Sequence, residues 1–427
     1  MKTEVKKIER GQAELTVELT VEEYQPFLEQ AAKKISENLK IPGFRPGKAG
    51  FSIIKQKVGE AEIWQEALEP AVQKTFVKAL DEQKLITVGS PNIDVVKLAP
   101  ENPVIYKATV SLLPEVELGD YSKIEIKSKP VEVKNEEVKK ALTNLQKMRA
   151  KESLVDREAK KGDKIDFDFE TFMDKVPIEN GKNEKFQLVI GEGNFIPGFE
   201  DNLIGLKKDE TKEFELEFPK NYHQKNLAGR LADFKVKVNS VYQMELPELN
   251  DEFAKNLGPF KSVQELEDKI KENISQDAKL KEDHRLEEEM LDKLIEQSKF
   301  SDIPDILVDS EAKKMVHELE HNLADQGLNF DDYLSHIKKT REELLLDFTP
   351  QAIKRIKSAL IIRQVGEQEK IKPTEKDIDI EVEKSKAMYQ NNPEIEKQLN
   401  DLAYRGYLRN ILTSQKVIAH LKSKMVK

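Results

Sequence analysis

Glycine almost disappears from this chain after residue 245. Of 18 glycines in 427 residues, only Gly258, Gly327, Gly366 and Gly406 lie beyond that point. The positive-φ positions on which tight hairpins depend are therefore scarce there, and long helices with short breaks are the natural reading. Ser262 with Glu265, and Thr340 with Glu343, have the spacing of capping boxes. Pro304, Pro350, Pro373 and Pro393 predict breaks or helix starts. Apolar residues are present but diluted: Leu286, Met290, Leu291, Leu294 and Ile295 in one helix, and Ile353, Ile356, Leu360 and Ile361 in another. Such stripes are ordinarily packing faces. With so few per helix, an open cradle with patchy apolar walls is as easy to build as a closed bundle.

The chain before residue 245 follows a period of two instead. Ala13, Leu15, Val17 and Leu19 alternate with polar residues after a turn-like Glu9-Arg10-Gly11-Gln12, and Val104, Tyr106, Ala108, Val110 and Leu112 alternate again. Between them Thr20 and Glu23 predict a capped helix with Tyr24, Phe27, Leu28, Ala31, Ile35 and Leu39 on one face. A second helix is expected up to about Leu80, with Trp64, Leu68, Ala71, Val72 and Phe76 inward. Residues 116–160 change character, passing Ile124, Ile126 and Pro130 into a charged helix expected from Asn135 to Glu152. From 161 to 244 short alternating runs return, among them Ile165-Asp166-Phe167, Phe186 to Ile190, Phe214 to Phe218 and Phe234 to Val238.

The link between the first two helices is basic. From Asn38 to Gly59 there is no Asp or Glu, while Lys40, Arg45, Lys48, Lys55 and Lys57 are present, in a chain of formal net charge -10. Gly43-Phe44-Arg45-Pro46-Gly47-Lys48 is a shaped tip, with an aromatic and two cations held between glycines and prolines. A cationic loop of this kind suits a phosphate-bearing or acidic surface. The plainer reading of a basic loop is a solvated connection between helices.

The string resembles the ribosome-docking signature of the bacterial trigger-factor family, G-F-R-x-G-x-x-P, with Gly50 where the family usually has proline. A second stretch, Gly191-Glu192-Gly193-Asn194-Phe195-Ile196-Pro197-Gly198-Phe199-Glu200, is not a dinucleotide fingerprint, because its third glycine is misplaced. It resembles the pocket floor of FKBP-type prolyl isomerases. Phe218-Pro219-Lys220-Asn221-Tyr222-His223 and Asn226-Leu227-Ala228-Gly229-Arg230 resemble the trigger-factor loop before the last strand of that domain.

The resemblance implies an α+β multidomain chain. Its parts are an N-terminal α+β ribosome-binding domain (1–115), a linker packing with the C-terminal domain (116–160), an FKBP-like antiparallel β-sheet domain (161–244) and an elongated all-α C-terminal chaperone domain (245–427). Docking is implied for Gly43, Phe44, Arg45, Gly47 and Lys48. An isomerase pocket is implied for Phe167, Phe186, Ile196, Phe199, Tyr222 and Phe234, with Tyr222 able to hydrogen-bond the substrate carbonyl. Ile178 joins them where the family has Asp-Gly-x-x-Phe; this chain reads Asp174-Lys175-Val176-Pro177-Ile178, with a loop to Phe186 about two residues longer. The implied partners are the ribosome, through protein and RNA of its large subunit at the exit tunnel, and nascent or unfolded polypeptides, with a weak homodimer off the ribosome.

The chemistry such a pocket needs is modest. Rotation about an X-Pro bond faces a barrier of about 18–20 kcal/mol because amide resonance is lost in the twisted state. A dry aromatic pocket favours the less polar twisted form, so no nucleophile, metal or cofactor is required, and none is expected.

Other classes are weighed against this one. Zero cysteines exclude disulfides, thiol catalysis and cysteine-ligated metals. No apolar run approaches the roughly 18 residues that would span a membrane, and the N-terminus lacks the apolar core of a signal peptide, so a cytoplasmic protein without a membrane role is expected. His317-Glu318-Leu319-Glu320-His321 matches H-E-x-x-H. It lies in a charged helical region with no β signal beside it, and a solvated helix face is the expectation. The alternatives are a free prolyl isomerase and holdase that does not dock, and a nucleic-acid binder using the basic tip alone.

Overall fold

The computed structural model describes residues 1–39, 44–193, 195–222, 224–225, 227–388 and 398–427. The chain divides into two compact units, Met1–Ser128 with Asp283–Lys427, and Lys129–Glu282.

The first unit begins with a hairpin of β1 (Lys2–Ile8) and β2 (Gln12–Leu19), turned through Arg10 and Gly11 at φ 59° and 66°. Thr20 then caps α1 (Val21–Asn38), with both arms of the capping box present. The expected single second helix is two, α2 (Phe51–Val58) and α3 (Glu60–Gln83). Gly59, at φ 91°, ends one and starts the other, a conformation that breaks helical continuity. Strands β3 (Thr87–Lys97) and β4 (Val104–Leu112) complete an antiparallel sheet of order β1-β2-β4-β3. The alternation read in β2 and β4 points Leu15, Val17, Tyr106 and Ala108 into the core, where they meet Tyr24, Leu28, Ala67 and Ala71 of the helices. Trp64 is core, and its carbonyl accepts from the Tyr24 hydroxyl at 2.8 Å. A short strand, β5 (Val116–Glu117), follows.

The second unit opens with α4 (Asn135–Met148), four residues shorter than expected, because Lys151–Val155 is extended as β6. β7 (Lys164–Met173), β8 (Val176–Val189), the one-turn helix α5 (Phe199–Leu203), β9 (Thr211–Glu217) and β10 (Leu231–Glu245) follow. Their antiparallel sheet has the order β6-β10-β7-β8, with β9 on β10. α6 (Asp251–Leu257) and the start of α7 (Val263–Gln297) pack with α4 through Val138, Leu142, Phe253, Ala254 and Leu266.

The rest of the first unit is helical. The end of α7 is followed by β11 (Lys299–Phe300), paired with β5, then α8 (Asp305–Asp325), α9 (Phe330–Ile337), α10 (Arg341–Gln368), α11 (Glu375–Met388) and a last helix, Leu402–Met425. Pro304 and Pro373 stand just before α8 and α11 as expected, and Pro393 lies outside the described residues. Pro350 does not break α10. It is exposed, so the carbonyl it leaves without a donor, on exposed Leu346, can be hydrated. The apolar contacts fall into separate clusters: Leu286, Met290 and Leu294 with Ile361 and Val417; Val316 and Leu323 with Leu344; Ile378 and Val382 with Leu408. Among the described residues, no helix is long and apolar enough to cross a membrane.

Candidate functional site

A cavity of about 520 Å³ is set in the sheet of the second unit. β7 contributes Phe169 and Thr171, and β8 contributes Ile178 and Gly181. Phe195, Ile196 and Pro197 come from the turn before α5, Phe218, Pro219, Tyr222 and Leu227 from the connection between β9 and β10, and Phe234 from β10. The side chains around it are mainly aromatic and aliphatic, with Thr171 and Gln224 among them, and such a lining suits a prolyl ring.

Four of the residues singled out from sequence line this space: Ile178, Ile196, Tyr222 and Phe234. Phe167, Phe186 and Phe199 are not among the lining residues. Phe167 and Phe199 are fully buried, and Phe195 stacks on Phe199 with ring centroids 3.8 Å apart. Phe167 meets Phe169, Phe186 and Phe199 at 5.9, 5.6 and 5.9 Å, largely in the tilted and edge-on geometries that aromatic quadrupoles favour. The cavity thus rests on a second layer of rings. Sequence reasoning missed Phe169, Phe195 and Phe218 as lining residues. Phe169 lies two positions after Phe167 in the same alternating run, and that periodicity was the available signal.

The departure at 174–186 is a bulged strand and not the expected loop. Asp174 and Lys175 form a tight positive-φ turn, and pairing then slips between Glu170↔Lys182 and Phe172↔Pro177. The extra residues bow out of the ladder, and this bulge carries Ile178 and Gly181 to the cavity.

The floor is held from below by a carboxylate. Glu200, only 8% exposed, accepts from the amides of Gly191 and Gly193 at 2.6 and 3.1 Å, fixing the turn that presents Phe195 and Ile196. Gly198, at φ 84°, reverses the chain into α5, and an added Cβ would meet Leu216 at 3.2 Å. Across the sheet, Asp163 is buried against Arg157, with oxygens 2.6 and 3.0 Å from its guanidinium. Burial pushes that carboxyl up, but Arg157 and the Lys160 amide outweigh burial and hold it below the usual range.

The basic tip belongs to the first unit. Gly43, with Lys40, lies outside the described residues; Phe44, Arg45, Gly47 and Lys48 are described. Phe44 is 43% exposed, an unusual position for a phenylalanine. Arg45 and Lys48 are exposed and make no ion pair among the described residues, whereas Lys55 is paired with Glu60 at 2.7 Å. The return of the tip is tied to α1: the Gly47 amide donates to the Ser36 carbonyl at 3.0 Å, and the Ala49 amide to the Ser36 hydroxyl at 3.2 Å. Ser36 is 1% exposed. Ser36→Ala is expected to destabilise the first unit by about 1 kcal/mol, the net worth of such a bond. Hydrogen exchange should report faster exchange at Ala49, with the remainder of α1 unchanged.

The H-E-x-x-H pair is on α8 with both histidines exposed. Glu318, the general base of a protease reading, is held by Arg355 at 2.8 Å. Among the described residues, no group of three or more His, Cys, Asp or Glu is placed to hold a metal. The protease reading has no support.

Comparison with known proteins bears on both the tip and the cavity. Residues 1–145 match the family described as "Bacterial trigger factor protein (TF)", residues 262–423 match the C-terminus of that family, and residues 155–242 match "FKBP-type peptidyl-prolyl cis-trans isomerase". The trigger factor of Caldicellulosiruptor saccharolyticus is 38% identical over 93% of this chain and 90% of its own length. That of Halalkalibacterium halodurans is 37% identical over 90% of each. The Carboxydothermus hydrogenoformans protein is 36% identical over 95% of this chain and 96% of its own.

Proposed function

Because the chain belongs to the trigger factor family and carries an FKBP-type domain, we propose that it is a chaperone that docks beside the ribosomal exit tunnel and isomerises X-Pro bonds in the nascent chains it shelters. The observation that carries the isomerase reading is the aromatic-lined cavity with Tyr222 in its wall. A prolyl ring enters among Phe169, Phe195, Phe218 and Phe234. The amide leaves water, its carbonyl loses hydrogen bonds to solvent, and the twisted form of the bond becomes easier to reach. Tyr222 offers a hydroxyl to that carbonyl.

Docking is assigned to Phe44, Arg45 and Lys48, with Gly43 and Gly47 shaping the tip; the exposed ring and the free cations support that assignment. Sheltering is assigned to the helices after residue 245 and the linker helix α4. Exposed apolar side chains such as Leu346, Leu402 and Tyr407, beside small separate core clusters, support an open client surface. The proposed division of labour keeps the boundaries at residues 115 and 244, while the cavity-bearing unit takes in β6 and so begins before residue 160. The free, non-docking isomerase is not favoured, since Gly50 caps α2 at φ -71°, a backbone that proline itself adopts.

The test of the pocket is Tyr222→Phe. A hydrogen bond to a neutral carbonyl is worth about 0.5–1.5 kcal/mol, so turnover on a short X-Pro peptide is expected to fall about two- to tenfold. The ring and its packing on Phe218 are kept, so the second unit should remain folded. Unchanged turnover would remove Tyr222 from the mechanism.

A further inference from the structure

The two histidines of the rejected protease motif are closer than a solvated helix face requires. His317 and His321 are one turn apart on α8, and their Nε2 atoms lie 3.2 Å from each other with the rings at 76°. Two imidazole nitrogens at that separation, each at the usual 2.0–2.1 Å from one ion, subtend an angle of about 100° at it, between octahedral and tetrahedral values. On the far side of the His317 ring, a Glu320 oxygen is 3.8 Å from Nδ1. Each ring presents an Nε2 lone pair to a ligand in the tautomer with hydrogen on Nδ1. The same Glu320 oxygen is paired with Arg341 at 3.2 Å.

We propose that His317 and His321 form an open, two-imidazole site for a late first-row divalent cation, with water filling the remaining positions. Both rings are exposed, so the ion needs no opening of the fold. α8 is already held by buried Ala312, Met315, Val316 and Leu323, so the pair is presented before any ion arrives. Nitrogen donors without thiolates or a free carboxylate select Cu²⁺ and Ni²⁺ over the oxygen-seeking Mg²⁺, Ca²⁺ and Mn²⁺. With only two protein ligands the ion exchanges readily and leaves coordination positions for a second ligand. That distinguishes the site from a structural zinc centre, whose removal would unfold the chain.

Calorimetric titration of the full, chelator-stripped chain with Ni²⁺ alone tests this. Wild type is expected to take up one ion at this site. His317→Ala and His321→Ala should each weaken it by about tenfold or more, as loss of a direct ligand exceeds the usual effect of losing an outer partner. The decisive variant is His321→Asn combined with Asn322→His. It keeps all six histidines of the chain but destroys the one-turn spacing, and it should bind as weakly as the single variants. His336→Ala should bind like wild type. Circular dichroism verifies that the variants, altered only at exposed positions, remain folded. Wild-type heats that match the transposed variant, or no heat above dilution, would show a ring-to-ring hydrogen bond and no metal site.

Discussion

Phe199→Ala is expected to lower the unfolding midpoint of the second unit and its isomerase turnover together. The ring is fully buried and meets Phe167, Phe169, Phe195, Phe214 and Phe234. Truncating such a residue removes its own burial and leaves a void, at about 3–5 kcal/mol. That is a large fraction of the 5–15 kcal/mol by which a whole domain is ordinarily stable. Phe195 would lose the surface on which it stacks, so the cavity loses its floor before any substrate arrives. Differential scanning calorimetry should show an early transition for the second unit, and turnover on a short X-Pro peptide should fall with it. The comparison with Tyr222→Phe decides the assignment: Phe199→Ala should cost far more stability for its loss of rate than Tyr222→Phe, which keeps the ring. A Phe199→Ala protein of unchanged stability and severely reduced turnover would mean that the ring contacts substrate directly, as the sequence reading supposed.

Replacing Phe44 and Arg45 together by alanine should abolish co-sedimentation with ribosomes and leave the fold intact, since both side chains are exposed. The two contribute differently. Phe44 supplies apolar area to a partner surface, while Arg45 supplies a cation free to meet phosphate. Arg45→Ala alone should therefore flatten the dependence of log affinity on log salt by about one unit, the signature of one lost phosphate contact. Phe44→Ala should weaken binding with the slope preserved. Lys55→Ala is the control: its ammonium is already occupied by Glu60, and docking should barely change. Wild-type protein that remains in the supernatant at low salt would remove the docking assignment altogether.

The elements that were legible in sequence are those whose local and tertiary demands agree. Thr20 with Glu23 and Thr340 with Glu343 form complete capping boxes, a geometry that the three-residue spacing permits. Ser262 with Glu265 is realised by half: the Ser262 hydroxyl accepts from Glu265, but the Glu265 carboxylate turns to the Lys261 amide. Strand β3 escaped notice because Gly89 and Pro91 interrupt its pattern. It is an edge strand with a register shift between Val88 and Asn92, where a missing amide donor is tolerated. In the cavity, the alternation told which residues point inward but not how deep each lies. Depth depends on which ring covers which, and the stacking of Phe195 over Phe199 is a tertiary fact with no trace in spacing.

The strands that begin and end the five-stranded sheet are hydrogen-bonded to each other. β6 and the end of β10 pair antiparallel from Val155↔Val241 to Lys151↔Glu245. Lys151 and Glu245, where the chain enters and leaves, are therefore opposite one another at the open end of a short ribbon. Tension that draws these two residues apart acts across the strands, on one rung after another, and not along all of them at once. The ribbon yields as a zipper does, at a small load, beginning at Lys151 and Glu245 and advancing toward Val155 and Val241. The aromatic layers lie beyond the last of these rungs. Pulling on this unit from its two ends would thus lengthen the tether before it strained the cavity.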